Sequence, residues 1–225
     1  MFFFDPTYLL FIIPPLLLSL WASFKVKSNF SKYSRVRSMR GMTGAQVAEQ
    51  MLRQAGIYDV QVTRARGFLS DHYNPSSKTL ALSDGVYDSA SVAAVSVAAH
   101  EAGHALQHDK GYAPLHLRTA LVPTASIGSS IGYMTMVLGL FLSSSLIYLG
   151  ALLFSAVLLF QLVTLPVEFD ASSRAKRILF QSGLIAEQER EGVAKVLNAA
   201  ALTYVAAVIS SLMTLLYFLM AAGRD

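Results

Sequence analysis

Two histidines four residues apart, His100 and His104, carry a glutamate, Glu101, directly after the first. On an α-helix, residues i and i+4 share a face, so both imidazoles can reach one cation. Neutral imidazole nitrogens hold Zn²⁺ at about 2.0–2.1 Å. Glu101 lies one residue round from His100 and is poorly placed as a further ligand of the same kind. It is placed instead to hold and deprotonate an attacking water, the arrangement that H-E-x-x-H denotes. The flanking Val97, Ala98, Ala102, Gly103, Ala105 and Leu106 are all uncharged. An apolar stretch is a costly place to leave two histidines and a glutamate without partners.

A catalytic zinc site needs a third protein ligand and an open position. The longer motif, with a third histidine six residues after the second, would need it at position 110, which is Lys110. His108, at i+8, has drifted about 80° round the helix from His100 and suits an outer or capping role. His72 and His116 are further outsiders. Among carboxylates, the third ligand must lie an even number of membrane crossings from His104. Glu168 meets that condition after two crossings, although an acid just after Pro166 also reads as a helix N-terminal residue facing the macrodipole. Asp170 is the alternative, as a ligand or as a carboxylate holding an imidazole N–H. His72, Tyr73 and Arg174 are candidates to stabilise an oxyanion.

Several local elements position these groups. Thr43-Gly44-Ala45-Gln46 reads as a capping box, followed by a helix with Val47, Met51 and Leu52 on one stripe and Gly56 as its stop. Val60-Gln61-Val62-Thr63 alternates as a strand. Residues 68–83 read as a β-hairpin turning at Asn74-Pro75-Ser76-Ser77, with Asp84-Gly85 breaking the return strand. Asp88, Ser89 and Ser91 offer N-caps for a helix over 90–109, and Lys110-Gly111 suits its end. Beyond Pro166, the sequence predicts a helix over 167–180, a stop at Ser182-Gly183 and a second helix over 186–198.

The rest of the chain is apolar. Of 225 residues, 54% are hydrophobic and 14% charged, against roughly 25% charged in soluble domains. That excludes an ordinary soluble enzyme and a disordered chain. The absence of cysteine excludes disulfides, thiolate zinc ligands and a thiol nucleophile. Four stretches are long enough to span a bilayer, which takes about 20 residues: 8–24, 119–142, 146–166 and 199–222. Pro14-Pro15 should make the first kinked or locally irregular, and Gly128 and Gly132 in the second suit close helix packing. Lys25, Lys27, Lys32, Arg35, Arg37 and Arg40 follow the first segment at once and set it as a signal anchor with residues 1–7 outside. The basic run is read as a topology and anionic-lipid signal and not as a nucleic-acid patch. Residues 143–145 then form an outer turn, 167–198 return to the cytoplasm, and the tail 223–225 ends outside.

With these residues in view, the sequence resembles the YugP-like neutral zinc metallopeptidases, bacterial membrane proteins. The runs that carry the resemblance are SDHYNPSSKTLALSDGVYDSASVAAVSVAAHEAGHALQH, YAPLHLRTALVP and LPVEFDASSRA. It implies a zinc-dependent membrane protease and supports His100, His104 and Glu168 as ligands with Glu101 as base. A more distant likeness is to the integral membrane gluzincins related to the CAAX prenyl protease, which carry an Asp four residues after the Glu. That position is Ser172 here, and Asp170 stands two residues after the Glu.

The expectation is a mainly α, integral membrane protein with about four transmembrane helices and a small α+β, zincin-like cytoplasmic catalytic domain inserted between the first two. Its parts are an anchor (1–24), the catalytic domain (25–117), a transmembrane hairpin (118–166), a cytoplasmic helical segment with the third ligand (167–198) and a final transmembrane helix (199–225). The expected activity is a metalloendopeptidase in the bacterial plasma membrane with one Zn²⁺ per chain, a membrane-associated peptide or protein substrate and no nucleic-acid partner. The rival readings are an intramembrane site-2-type protease and a non-enzymatic zinc scaffold or chaperone whose site His108 would close.

Overall fold

The computed structural model describes residues 6–223. The expected outer positions of residues 1–5 and 224–225 lie outside the described residues. In chain order the elements are α1 (Pro6–Ser34), α2 (Gly44–Gln54), β1 (Gln61–Ala65), β2 (His72–Asn74), β3 (Thr79–Ser83), α3 (Asp84–Tyr87), α4 (Val92–Asp109) and α5 (Ala113–Ile127). A π-helical turn (Gly128–Gly132) leads into α6 (Tyr133–Leu142) and α7 (Ser144–Gln181), and a 3₁₀ turn (Glu187–Glu189) leads into α8 (Arg190–Ala222). Among the described residues, four helical stretches are long and apolar enough to cross a membrane: Tyr8–Ser34, Ala113–Leu142, Ser144–Gln181 and Glu187–Ala222.

Two expectations drawn from proline are corrected. The first segment is helical through Pro14 and Pro15, with no irregular stretch between them, and α7 runs through Pro166 without a stop. Proline's φ is already helical, so the helix continues past each one at the cost of a hydrogen bond and a clash with the carbonyl one turn back. Glu168 therefore sits deep within a 38-residue helix and not at a helix N-terminus, which removes the macrodipole account of that acid. Likewise α1 continues past Phe24 through the basic run to Ser34, because Phe30 and Tyr33 on its last turns are buried in a core.

The chain forms two compact units. One comprises Phe24–Leu115 and Val167–Ala201, so the stretches expected as a catalytic domain and a separate helical segment share one core. That core centres on Met51, Leu80, Leu82, Val86, Val95, Leu179 and Leu197. Its sheet has the order β1-β3-β2, with β1 parallel and β2 antiparallel to the central β3. The hairpin falls where expected, with Asn74 opposite Thr79. Thr43 and Gln46 form the capping box of α2, and Gly56 adopts φ +77° beyond its end. Asp84-Gly85 does not simply break the chain: it starts the short helix α3.

The element that matters most is α4. Ser91 caps it by accepting from the Ala94 N–H, and 14 of its 18 residues are buried. A helix buried on nearly every side is a core helix, and the run of alanines lets neighbours close on it.

The second unit comprises the first part of the chain through Ser23, His116–Pro166 and the chain from Leu202. Glycines set its helix contacts. A Cβ on Gly128 would lie 2.4 Å from the Leu153 carbonyl oxygen, and one on Gly132 would lie 2.8 Å from the Phe154 nitrogen. Tyr8, Tyr133, Tyr217 and Phe218 form an edge-to-face aromatic group.

Candidate metal centre

The His100 and His104 rings stand one turn apart on α4, edge to face with centroids 4.7 Å apart. Glu168 on α7 meets both: its Oε2 is 3.1 Å from His100 Nε2 and 3.6 Å from His104 Nε2. Among the described residues these three form the one group of His, Cys, Asp or Glu side chains able to hold a metal, with ligand atoms all within 4.8 Å. Ligands about 2.05 Å from a tetrahedral zinc stand about 3.3 Å from one another. The two Glu168 distances bracket that edge, and two imidazoles with one carboxylate are a donor set that zinc accepts. The residues present fit the ion.

Gly103 lets the two helices come this close. A Cβ there would lie 2.6 Å from the Ala171 carbonyl oxygen, so only glycine leaves room for α7 one turn from Glu168. Around the cluster, His104 and Glu168 are buried and His100 is partly so. Burial pushes the His104 imidazole down, but the Glu168 carboxylate, aided by Glu101 and Gln107, outweighs it and raises the pKa above the ordinary value. Glu101 is 8% exposed. Its carboxylate has no hydrogen-bond or ion-pair partner among the described residues.

The outer hydrogen bonds differ from expectation. His104 Nδ1 lies 2.9 Å from Gln107 Oε1, and His100 Nδ1 lies 3.0 Å from Ser172 Oγ. Asp170, expected as a ligand or an imidazole partner, instead accepts from Gln107 Nε2 at 2.8 Å and from Arg174 Nε at 2.5 Å. Arg174, considered for an oxyanion, is thus engaged by Asp170, and its guanidinium also stacks over Tyr112. His108, whose ring would close a scaffold site, meets the Tyr73 hydroxyl through Nδ1 at 2.8 Å and does not join the cluster. Half-burial, with Asp59 and Asp109 nearby, pushes the Tyr73 phenol up to about 12. His72 is exposed and bonded to the Ser70 carbonyl.

Gln107 was missed by sequence reasoning, which named Ser172 only as a departure from the gluzincin pattern. Helical spacing could have found both: Gln107 is i+3 from His104, and Ser172 is i+4 from Glu168, the position occupied by Asp in the gluzincin pattern.

Comparison with known proteins follows the same line. A family model described as "Putative neutral zinc metallopeptidase" matches residues 8–223. The chain is 50% identical over 221 residues to the Bacillus subtilis (strain 168) protein named "Putative membrane protease YugP", covering 97% of this chain and 98% of that protein. No solved structure matches.

Proposed function

The chain belongs to the neutral zinc metallopeptidase family, and from that premise we propose that it is a membrane zinc metalloendopeptidase whose active face is cytoplasmic. One observation carries the reading: His100, His104 and Glu168 converge from two helices at metal-ligand spacing, beside an uncommitted Glu101. Held by these three, one Zn²⁺ would lower the pKa of a water toward about 7 and polarise the scissile carbonyl. The Glu101 carboxylate takes the proton of the attacking water and later delivers it to the leaving amine. Glu101, His104 and Glu168 are all buried, and Glu168 supplies the anionic ligand.

The substrate is a membrane-associated peptide or protein, not a nucleic acid. β2 pairs with β3 on one side, and its other edge offers an extended substrate a strand to join. The basic residues from Lys25 to Arg40 support the cytoplasmic orientation. An intramembrane site is disfavoured because α4 is not one of the four long apolar helices. A scaffold closed by His108 is disfavoured by the engagement of that ring with Tyr73.

The test is hydrolysis of an unfolded protein by the purified chain beside Glu101→Gln, with and without chelator. The variant should keep its zinc and lose at least about a hundredfold in rate, since general-base catalysis contributes about 10²–10⁴-fold. Equal rates in parent and variant would remove Glu101 from the chemistry. A parent that holds zinc and cleaves nothing would favour the scaffold.

A further inference from the structure

The hydrogen bonds behind the two imidazoles are not equivalent. Gln107 is fully buried, and each end of its amide meets a defined partner. Its Nε2 lies 2.8 Å from the Val167 carbonyl oxygen and 2.8 Å from Asp170 Oδ2. A carbonyl and a carboxylate oxygen accept, and the same Asp170 oxygen also receives Arg174 Nε, so the amide end between them must be the NH₂. The opposite end is then the amide oxygen, which can only accept. His104 Nδ1, 2.9 Å away, must therefore be the donor.

From this chain of donors and acceptors we infer that Gln107 is a positioning residue that keeps a proton on His104 Nδ1, so that Nε2, which faces Glu168, is the nitrogen that His104 yields to a metal. The inference rests on the metal-site reading above. Without Gln107, the competing place for the proton is Nε2 itself, where Glu168 Oε2 waits at 3.6 Å. A metal would then have to displace that proton from its own ligand atom. His100 is different: its Nε2 donates to Glu168 Oε2 at 3.1 Å, while its Nδ1 faces the Ser172 hydroxyl, which donates or accepts equally well, so no outer partner fixes a proton on its Nδ1. The relay depends on two helical spacings, His104 with Gln107 on α4 and Val167 with Asp170 on α7, brought together where Gly103 meets Ala171. Outer partners of this kind are worth about 10–100-fold in metal affinity.

The experiment uses the full chain in detergent micelles, metal-free, with ¹⁵N-labelled histidine, at an alkaline pH raised until the His104 signals report a single ring proton. The chain has five histidines, and His104→Ala identifies the signals of His104. The parent should show His104 protonated at Nδ1. Gln107→Leu should move that proton to Nε2, leave the His100 signals in place and weaken zinc binding about 10–100-fold in competition with a chelating dye. Gln107→Glu should also bind zinc poorly, because its carboxylate would face Asp170 and the Val167 carbonyl. Adding Asp170→Asn restores a donor opposite that carboxylate, and zinc affinity should recover at least about tenfold, which a merely space-filling role for Gln107 would not produce. His104 protonated at Nε2 in the parent overturns the inference, and so does a Gln107→Leu protein with parental tautomer and affinity. If Gln107→Leu fails to fold, the parent spectrum decides alone. A parent that shows the Nδ1–H tautomer and binds no zinc would sink the metal-site reading and leave the tautomer assignment standing.

Discussion

Gly103→Ala tests whether the spacing of α4 and α7 sets the metal geometry. The added Cβ would lie 2.6 Å from the Ala171 carbonyl oxygen, short of ordinary contact at 3.4 Å by about 0.8 Å. The obstacle is helix backbone, which has no rotamer to escape into. α7 must shift, and Glu168, one turn before Ala171, moves with it. Its present separations of 3.1 and 3.6 Å from the two Nε2 atoms would open well past the tolerance of about 0.2 Å on metal–ligand bonds. Overpacking costs about 1–3 kcal/mol, while replacing glycine by alanine within a helix returns about 0.8–1 kcal/mol. The net loss of stability should thus be at most about 2 kcal/mol, whereas zinc affinity should fall at least about tenfold. Competition with a chelating dye reads the affinity, and thermal unfolding of the metal-free protein by circular dichroism reads the stability. Gly85→Ala is the control, since a Cβ there meets nothing within 4 Å; it should bind zinc as the parent does. Parental zinc affinity in Gly103→Ala would refute the argument that this close approach holds the ligands in register.

A chelator should lower the melting temperature of the zinc-loaded parent, since a ligand present at 1,000 times its Kd adds about 4 kcal/mol to the folded state. His104→Ala should melt at one temperature with or without chelator, and a chelator-dependent shift in that variant would count against the ligand set. The chain lacks cysteine, so single cysteines at the exposed Ser34, Ser77 and Ser182 should resist an impermeant thiol reagent applied outside the cell, while one at Ser145 reacts. Labelling of Ser77 and Ser182 on opposite sides of the membrane would exclude a shared site. Tyr73, raised from 10.0 to about 12, holds its proton more tightly folded than unfolded. Its contribution to stability is therefore complete below pH 10 and lost as pH rises toward 12. Tyr73→Phe should flatten the alkaline fall in melting temperature over that window; an unchanged profile would show that the phenol does not titrate there.

His100, Glu101 and His104 were legible in the sequence because an i, i+4 pair needs only a helix to share a face. The caps at Thr43 and Ser91, the hairpin turn at Asn74 and the four apolar stretches were legible for a similar reason: each depends on chemistry within a few residues. Glu168 was reached by counting membrane crossings, but its distances from both imidazoles belong to the tertiary structure. So does the role of Gly103, which reads as an ordinary small residue until Ala171 is seen against it. Pro166 misled as a helix boundary, since local preference could not weigh one lost hydrogen bond against a long helix already committed on both sides. The partner of His104 was sought among the carboxylates and turned out to be an amide. A lone glutamine carries no chemical signature in sequence; its orientation is dictated by Val167 and Asp170, sixty residues away in the chain and within one hydrogen bond in space.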